Sequence, residues 1–190
     1  MALEHALLVS LTERAGSGYE LARRFDKSIG YFWSATHQQI YRVLKRMEKS
    51  GWVHSTAVTQ TGKPDKKVYS VSPAGRTELA RWIAAPSDPE TPRNELAVKI
   101  RAAAYGDITA LRAEVARHRD QHAHRLELYS HIQHHDFPVP EQLTGTTLHQ
   151  YLVLRAGIRA ESGFIEWCDE VLQALHPHAP HPRVSASHAD

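Results

Sequence analysis

The chain has 190 residues, of which 42% are hydrophobic and 23% are charged, and these proportions are typical of a water-soluble folded protein. The length is enough for a buried core in one domain, or in a small domain with an extension. The single cysteine, Cys168, excludes an intrachain disulfide framework and indicates a reducing compartment. Neither a membrane span nor a secretory leader is visible in the sequence, so we expect a cytoplasmic protein that makes no membrane contact.

The charge is distributed unevenly along the chain. The formal net charge is only +2, but residues 1–84 carry 13 Lys and Arg against 7 Asp and Glu. Residues 85–190 carry 10 Lys and Arg against 14 Asp and Glu. This asymmetry predicts that only the first part of the chain touches a polyanion.

Two short helices are predicted at the start of the chain. The first, residues 2–13, carries Leu3, Ala6, Leu7 and Leu11 on one face. Residues 15–18 interrupt it, and Ser17 and Glu20 then form a capping-box pattern for a second helix over residues 19–26. We expect this helix to be buried through Leu21, Ala22, Phe25 and the following Ile29.

The stretch 36–51 predicts a third helix with two contrasting faces. Thr36 and Gln39 form a capping box, and Gly51 suits the position just past the end. The apolar stripe consists of Ile40, Val43, Leu44 and Met47. The other face presents His37, Gln38, Tyr41, Arg42, Lys45 and Lys49, with Arg46 at its margin. Cations for phosphates and planar groups for base edges suit a DNA groove, and a solvated basic face is the alternative.

Residues 52–58 and 66–71 alternate with a period of two and predict a β-hairpin directly after this helix. The connection is polar, and the hairpin carries Lys63, Lys66 and Lys67 near its tip. We interpret it as the wing of a winged helix whose lysines contact the DNA backbone or the minor groove. The alternative is that the lysines are those that any exposed hairpin collects.

A fourth helix should begin at Ser72 and Pro73, a capping serine followed by proline at the first helical position. We expect Leu79, Trp82 and Ile83 to pack it onto the wing or the first helix. Three prolines within residues 85–92 mark a linker. The predicted domains are therefore a winged helix over residues 1–84, a linker over 85–93, a helical dimerisation domain over 94–176 and a disordered tail over 177–190.

The rear half is predicted to be helical over residues 94–105, 108–131 and 146–175, with a loop over residues 134–144. The two long helices carry wide apolar seams, which need more cover than one neighbour supplies. We therefore predict a homodimer through these helices. The expected dimerisation residues are Leu111, Val115, His118, His122, Leu154, Ile158, Ile165, Trp167 and Leu172.

The chain resembles the PadR family of transcriptional regulators. The matching segments are Gly18-Tyr19-Glu20-Leu21, Gln39-Ile40-Tyr41-Arg42-Val43-Leu44-Lys45-Arg46-Met47, Gly51-Trp52-Val53, Lys67-Val68-Tyr69-Ser70-Val71-Ser72-Pro73-Ala74-Gly75-Arg76 and Arg93-Asn94-Glu95-Leu96. The resemblance covers about residues 1–105, and the later helices resemble the longer members by pattern. It implies a mainly α fold, a dimer, repression, and DNA binding by Tyr19, the 38–45 face and the wing lysines. His37-Gln38 stands where many members place small residues, so the recognised bases are not transferable.

The exposed side chains divide into base-reading and phosphate-binding candidates. Gln38 is the best candidate for a base contact, because its amide can bond adenine at two points, whereas Gln39 is shared with its cap. Tyr41, Arg42, Lys45 and Lys49 suit phosphates. Tyr19, at a helix N-terminus, is either a phosphate partner or packed in the turn.

No catalytic set, phosphate loop or dinucleotide motif is visible, and we expect neither an enzyme nor a cofactor. His118 and His122 are spaced for a metal, but no further ligands complete a site, and a pH-sensitive dimer seam is the other interpretation. We predict a repressor on double-stranded DNA with a pseudo-palindromic operator, responsive to a small-molecule effector or another signal. Trp33, Trp82 and Trp167 are candidates for an aromatic-sensing pocket or for core. Activation is the alternative to repression, and a protein–protein module is the alternative to DNA binding.

Overall fold

The computed structural model describes residues 2–27, 35–60, 63–87 and 94–176. The chain forms two compact units, Met1–Glu90 and Thr91–Asp190. The described residues are mainly helical, with one small antiparallel sheet in the first unit. No helix in these ranges is both long and apolar enough to span a membrane.

The first unit is a winged helix, as predicted. Its elements are α1 (Ala2–Glu13), β1 (Gly16–Ser17), α2 (Gly18–Lys27), α3 (His37–Lys49), β2 (Val53–Gln60), β3 (Lys63–Val71) and α4 (Pro73–Ala84). β2 and β3 form the two-stranded wing, with Ser55 opposite Tyr69. The sheet has a third strand that the sequence analysis missed, because β1 pairs with β3 to give the order β1-β3-β2.

The core of the first unit lies between α1, α2, α3 and the sheet. The predicted apolar stripe of α3 is confirmed, since Ile40, Val43, Leu44 and Met47 are all buried. They pack with the buried faces of α1 and α2, where Leu7, Leu8, Leu21, Ala22 and Phe25 are fully enclosed. Packing on this side leaves the opposite face of α3 towards solvent.

The predicted caps are present. The Gln39 N–H donates to the Thr36 hydroxyl (3.2 Å), while the Gln39 side chain accepts from the Thr36 N–H (2.8 Å). Gly51 follows α3 with φ +72°, a conformation that favours glycine. Ser72 caps α4 through the Gly75 N–H (3.0 Å). Local sequence signals therefore set the boundaries of both helices.

The expected packing of α4 is only partly right. Leu79 packs against the core of the first unit, and the Trp82 ring stacks on His5 of α1 with ring centroids 4.6 Å apart. Ile83 is 68% exposed, so its predicted packing is wrong. It lies in the last turn of the helix, past the side chains that reach the core. Ile29 and Trp33 lie outside the described residues.

The second unit consists of α5 (Glu95–Arg101), a 3₁₀ turn (Ala103–Tyr105), α6 (Ile108–Asp136), a second 3₁₀ turn (Pro140–Gln142) and α7 (Gly145–Ala174). α6 and α7 pack along each other, and α5 packs onto α6. The core is formed by Leu96, Val115, Cys168 and Val171.

The predicted end of α6 is wrong, because His134 and His135 are helical rather than part of a loop. The helix continues to Asp136 and ends where Phe137 is buried, next to Pro138. Proline disfavours helical geometry in the residue before it, so it ends α6 where the seam alone gave no signal.

Candidate nucleic-acid interface

The outer face of α3 presents the predicted residues together at the surface. His37, Gln38, Gln39, Tyr41, Arg42, Lys45 and Lys49 are all exposed. Among the described residues, no carboxylate forms an ion pair with Arg42, Lys45 or Lys49. We call the seven side chains the α3 face. Its cations are available to an external anion.

The two glutamines of the α3 face differ in whether their side chains take part in the helix cap. Gln39 uses its side-chain oxygen in the capping box with Thr36. Gln38 is one position earlier, and its side chain is exposed. Gln38 is therefore the amide better placed to read a base edge.

The start of α2 borders the α3 face. The Tyr41 ring lies so close to Gly18 that a side chain at that position would overlap it. Tyr19 is 58% exposed, so it is not packed into the turn, and the Arg23 guanidinium lies 5.9 Å from its ring centroid. Arg23 was not singled out from the sequence, although its spacing of four residues from Tyr19 would have placed both on one helical face.

The wing lysines are engaged by the protein itself. Lys66 Nζ lies 2.6 Å from Glu20 Oε1 of α2, and Lys67 Nζ lies 2.9 Å from Glu48 Oε2 of α3. Lys63 opens β3, but its side chain lies outside the described part of the chain. Glu20 and Glu48 were not recognised as partners of the wing because 46 and 19 residues separate them from the lysines.

Both carboxylates have lowered pKa values. The Lys66 ammonium and the Ser17 N–H hold the pKa of Glu20 at about 2, well below its usual 4.5. The Ser55 hydroxyl and Lys67 lower the pKa of Glu48, and Glu48 in turn raises that of Lys67. Both carboxylates are therefore ionised at neutral pH.

Further polar contacts hold α1 against its neighbours. Arg46 of α3 forms an ion pair with Glu4 of α1, which is buried. Arg24 of α2 donates to the carbonyl oxygens of Ser10 (3.2 Å) and Arg14 (2.6 Å). These contacts position α2 and α3 without using the outer cations of the α3 face.

The predicted dimerisation residues already make contacts within the chain. Val115 is fully buried, and Leu111, Trp167 and Leu172 pack against the core of the second unit. The remaining aliphatic members are partly exposed: Leu154, Ile158 and Ile165. On other positions of the two long helices, Leu128, Leu152 and Val153 are apolar and exposed.

The two histidines of the seam contact carboxylates of the same chain. His122 pairs with Glu161 of α7 and stacks on Phe164 at 4.0 Å between ring centroids. His118 lies 3.3 Å from Glu114. Glu161 is 7% exposed and also accepts from Arg125 (3.1 Å). This buried carboxylate was not anticipated from the sequence.

Within the described ranges, no three His, Cys, Asp or Glu side chains are grouped as metal ligands. Burial raises the pKa of the Cys168 thiol, which lies in the core of the second unit.

The second unit also contains a cavity of about 580 Å³, lined by Asn94, Glu95, Leu96, Lys99, Glu114, Arg117, His118, His122 and Phe164. Trp167 contacts Phe164 edge-on beside it.

Known proteins resemble the chain along most of its length. It is 55% identical over 185 residues to a probable transcriptional regulator of Mycobacterium tuberculosis, covering 92% of this chain and 98% of that protein. It is 29% identical over 180 residues to the negative transcriptional regulator PadR of Bacillus subtilis, covering 91% and 97% of the two chains.

Solved structures share the architecture. The Vibrio cholerae virulence activator AphA has a TM-score of 0.76 at 31% identity, covering 91% of this chain and 97% of that one. Bacillus subtilis PadR in complex with operator DNA has a TM-score of 0.83 at 24% identity, covering 93% and 100%, and this likeness shows the fold.

Two family profiles match successive parts of the chain. Residues 7–81 match the transcriptional regulator PadR-like family, and residues 92–176 match the C-terminal region of virulence activator alpha. These matches and the identity to the mycobacterial regulator agree with the winged-helix fold of the first unit. The chain belongs to the PadR-like family of DNA-binding winged-helix transcriptional regulators, in the form that carries a C-terminal helical extension.

Proposed function

We propose that the protein is a repressor that binds a pseudo-palindromic operator as a homodimer and releases it in response to a small molecule or another signal. The observation that carries DNA recognition is the α3 face, where Gln38 and Tyr41 are followed along the helix by three exposed cations without a carboxylate partner among the described residues. Cations bind phosphates and planar amides read base edges, so this face has the chemistry that a major groove requires.

The proposed roles follow from position and chemistry. Gln38 contacts a base, with His37 and Gln39 beside it at the start of α3. Arg42, Lys45 and Lys49 contact phosphates along the helix. Tyr41 and Tyr19 donate their hydroxyls to phosphates from the border between α2 and α3, and Lys63 reaches the backbone or minor groove from the wing.

Repression and effector release are supported by a relative. The Bacillus subtilis protein is named a negative regulator, and its structures include one with operator DNA and one with p-coumaric acid. Activation is the second candidate, because the Vibrio cholerae relative at 31% identity is a virulence activator. A reporter gene under the bound promoter separates the two: deletion of the regulator raises expression under repression and lowers it under activation.

The cavity of the second unit is the proposed effector site. Its volume of about 580 Å³ lies within the range of small-molecule pockets. His122 and Phe164 supply a stacked aromatic wall, while Lys99 and Arg117 supply polar groups. A change in tryptophan fluorescence during ligand titration that is lost in Trp167→Phe would detect binding there, because the Trp167 ring contacts Phe164.

The homodimer is proposed through α6 and α7, on which Leu128, Leu152 and Val153 expose apolar surface. Sedimentation of the full chain should give twice the monomer mass of 21.4 kDa. In a dimer the two α3 helices should address half-sites about one helical turn apart, or a multiple of it.

A gel shift with the DNA upstream of the protein's own gene tests DNA binding. Binding should weaken steeply with salt, and Arg42→Ala and Lys45→Ala should each flatten the slope of log affinity against log salt by about 0.9. Arg159→Ala, which removes an exposed cation of α7, is the matched control and should leave the slope unchanged. A protein that shifts no upstream DNA at low salt would instead be a protein–protein module.

A further inference from the structure

Two carboxylates bond the wing to the helices of the first unit, one from α2 and one from α3. Glu20, in the first turn of α2, accepts from the Ser17 N–H of β1 (2.9 Å) and from Lys66 of β3 (2.6 Å). A single side chain therefore connects α2, the short strand and the wing.

Glu48 makes the corresponding connection from the last turn of α3. Its Oε1 accepts from the Ser55 hydroxyl of β2 (2.5 Å), and its Oε2 accepts from Lys67 of β3 (2.9 Å). Lys67 also lies 5.3 Å from the ring centroid of Tyr69, which is buried at the base of the wing. Both strands of the wing are thereby bonded to the helix that carries the α3 face.

Lys66 and Lys67 are consecutive in β3, so their side chains leave opposite faces of the hairpin. One reaches α2 and the other reaches α3. A hairpin held on both faces has a restricted angle relative to the helices, whereas a hairpin held on one face could still tilt. The Arg42, Lys45 and Lys49 side chains of the α3 face lack such carboxylate partners among the described residues.

We propose that Lys66 and Lys67 are positioning residues that latch the wing to Glu20 and Glu48, rather than contacts to DNA phosphates. The inference rests on the proposed DNA-binding function, and it reverses the sequence-based expectation for these two lysines. The latches set where the tip of the wing meets the duplex once α3 lies in the groove. They act on affinity through geometry, without releasing counterions.

The charge-swapped double variant Glu48→Lys with Lys67→Glu is the decisive test. It keeps the net charge and the ion pair, but it moves the cation of position 67 from the wing to α3. With a latch, each single variant binds operator DNA more weakly, by up to about fivefold because the pair is partly exposed, and the double variant recovers at least half of the lost log affinity. If the double variant stays as weak as Lys67→Glu alone, Lys67 is a phosphate contact and the proposal fails.

Salt dependence gives an independent readout. Lys66→Met and Lys67→Met should lower affinity at fixed salt yet leave the slope of log affinity against log salt at its wild-type value. The matched variant Lys45→Met, from the α3 face, should flatten the slope by about 0.9. Flattening of that size by either wing variant would overturn the proposal for that lysine.

A measurement on the free protein separates the latch from DNA binding itself. Lys67→Met and Glu48→Gln should each speed hydrogen exchange of β2 and β3 amides, while α6 amides keep their wild-type rates. Unchanged exchange in the wing would contradict the latch even if DNA binding is confirmed. Faster exchange in a protein that shifts no DNA would uphold the latch and reject the proposed function.

Discussion

The Tyr41 ring lies directly against the α-carbon of Gly18, where any Cβ would overlap its Cε1 and Cδ1 atoms. Gly18 is the first residue of α2, and Tyr41 is 42% exposed on α3. The close approach fixes the ring at the border between the two helices. The absence of a side chain at Gly18 thus sets the direction in which the Tyr41 hydroxyl points.

We expect Gly18→Ala to displace the Tyr41 ring and to weaken operator binding about as much as Tyr41→Phe does. The expected loss is about ten- to a hundredfold, because a hydrogen bond to a charged group is worth about 1.5–3 kcal/mol. Fluorescence anisotropy with labelled operator DNA would measure both variants. Gly163→Ala in α7 is the control, since nothing lies within 4 Å of a Cβ there. Wild-type affinity in both Gly18→Ala and Tyr41→Phe would show that the Tyr41 hydroxyl does not contribute to binding.

Gln38→Ala should relax sequence preference at one position of each half-site. A bidentate side chain–base pair discriminates against the wrong base by about 1–3 kcal/mol, whereas a phosphate contact does not discriminate. Binding selection from a randomised operator pool would compare the variant with Lys49→Ala, which should weaken binding equally for all sequences. A Gln38→Ala variant with an unchanged base preference at every position would assign base reading to another residue.

Stability in acid should depend on Glu78. Arg81 and His5 hold its pKa at about 2, below the usual 4.5. Because the folded-state pKa is lowered, the pair stabilises the fold above about pH 4.5, and this contribution disappears as the pH falls towards 2. Glu78→Gln should therefore lower the free energy of unfolding at pH 7. Between pH 5 and 2 the variant should lose less of this free energy than the wild type does.

Urea denaturation of a Trp167→Phe background at several pH values would measure this dependence, because the fluorescence of the remaining tryptophans then comes from the first unit alone. Glu166→Gln in α7 removes an exposed carboxylate of the second unit. In this control the first unit should lose stability in acid as it does in the wild type. Parallel pH curves for wild type and Glu78→Gln would contradict the prediction.

Glu161 should be needed for the packing of α6 against α7. It is buried and accepts from His122 and Arg125, so removal of the carboxylate leaves the mostly buried His122 ring without its partner, whereas the half-exposed Arg125 can turn to water. Glu161→Ala should destabilise the second unit by about 1–3 kcal/mol. Hydrogen exchange of the α6 and α7 amides would detect this, and Glu166→Ala on the same helix should stay within about 0.5 kcal/mol of wild type.

The features that sequence reasoning predicted correctly are those encoded within a few residues. Thr36 and Gln39 cap α3 because their spacing places each side chain at the other's backbone. The buried stripe follows from helical periodicity, and Ser72-Pro73 starts α4 for equally local reasons. The α3 face could be named in advance because burial of one side of a helix exposes the other.

The features that were missed depend on contacts between distant residues. Two residues suffice for β1 only because β3 offers them an edge, and no local pattern announces that pairing. Glu20 was read as half of a capping box, and its second bond to Lys66 needs the folded wing. Lysines at a hairpin tip look alike in sequence whether they point to solvent or to a carboxylate.

The single thiol, Cys168, can report on the opening of the second unit. Cys168 is fully buried beside Val115 and Leu96, so an alkylating reagent can reach it only when the helices of the second unit separate, and burial also raises the pKa of the thiol. As the first unit contains no cysteine, the rate of thiol modification follows opening of the C-terminal helices alone. Pulsed alkylation of the unmodified protein, with and without DNA or a candidate inducer, would then show which ligands change the opening of the C-terminal helices.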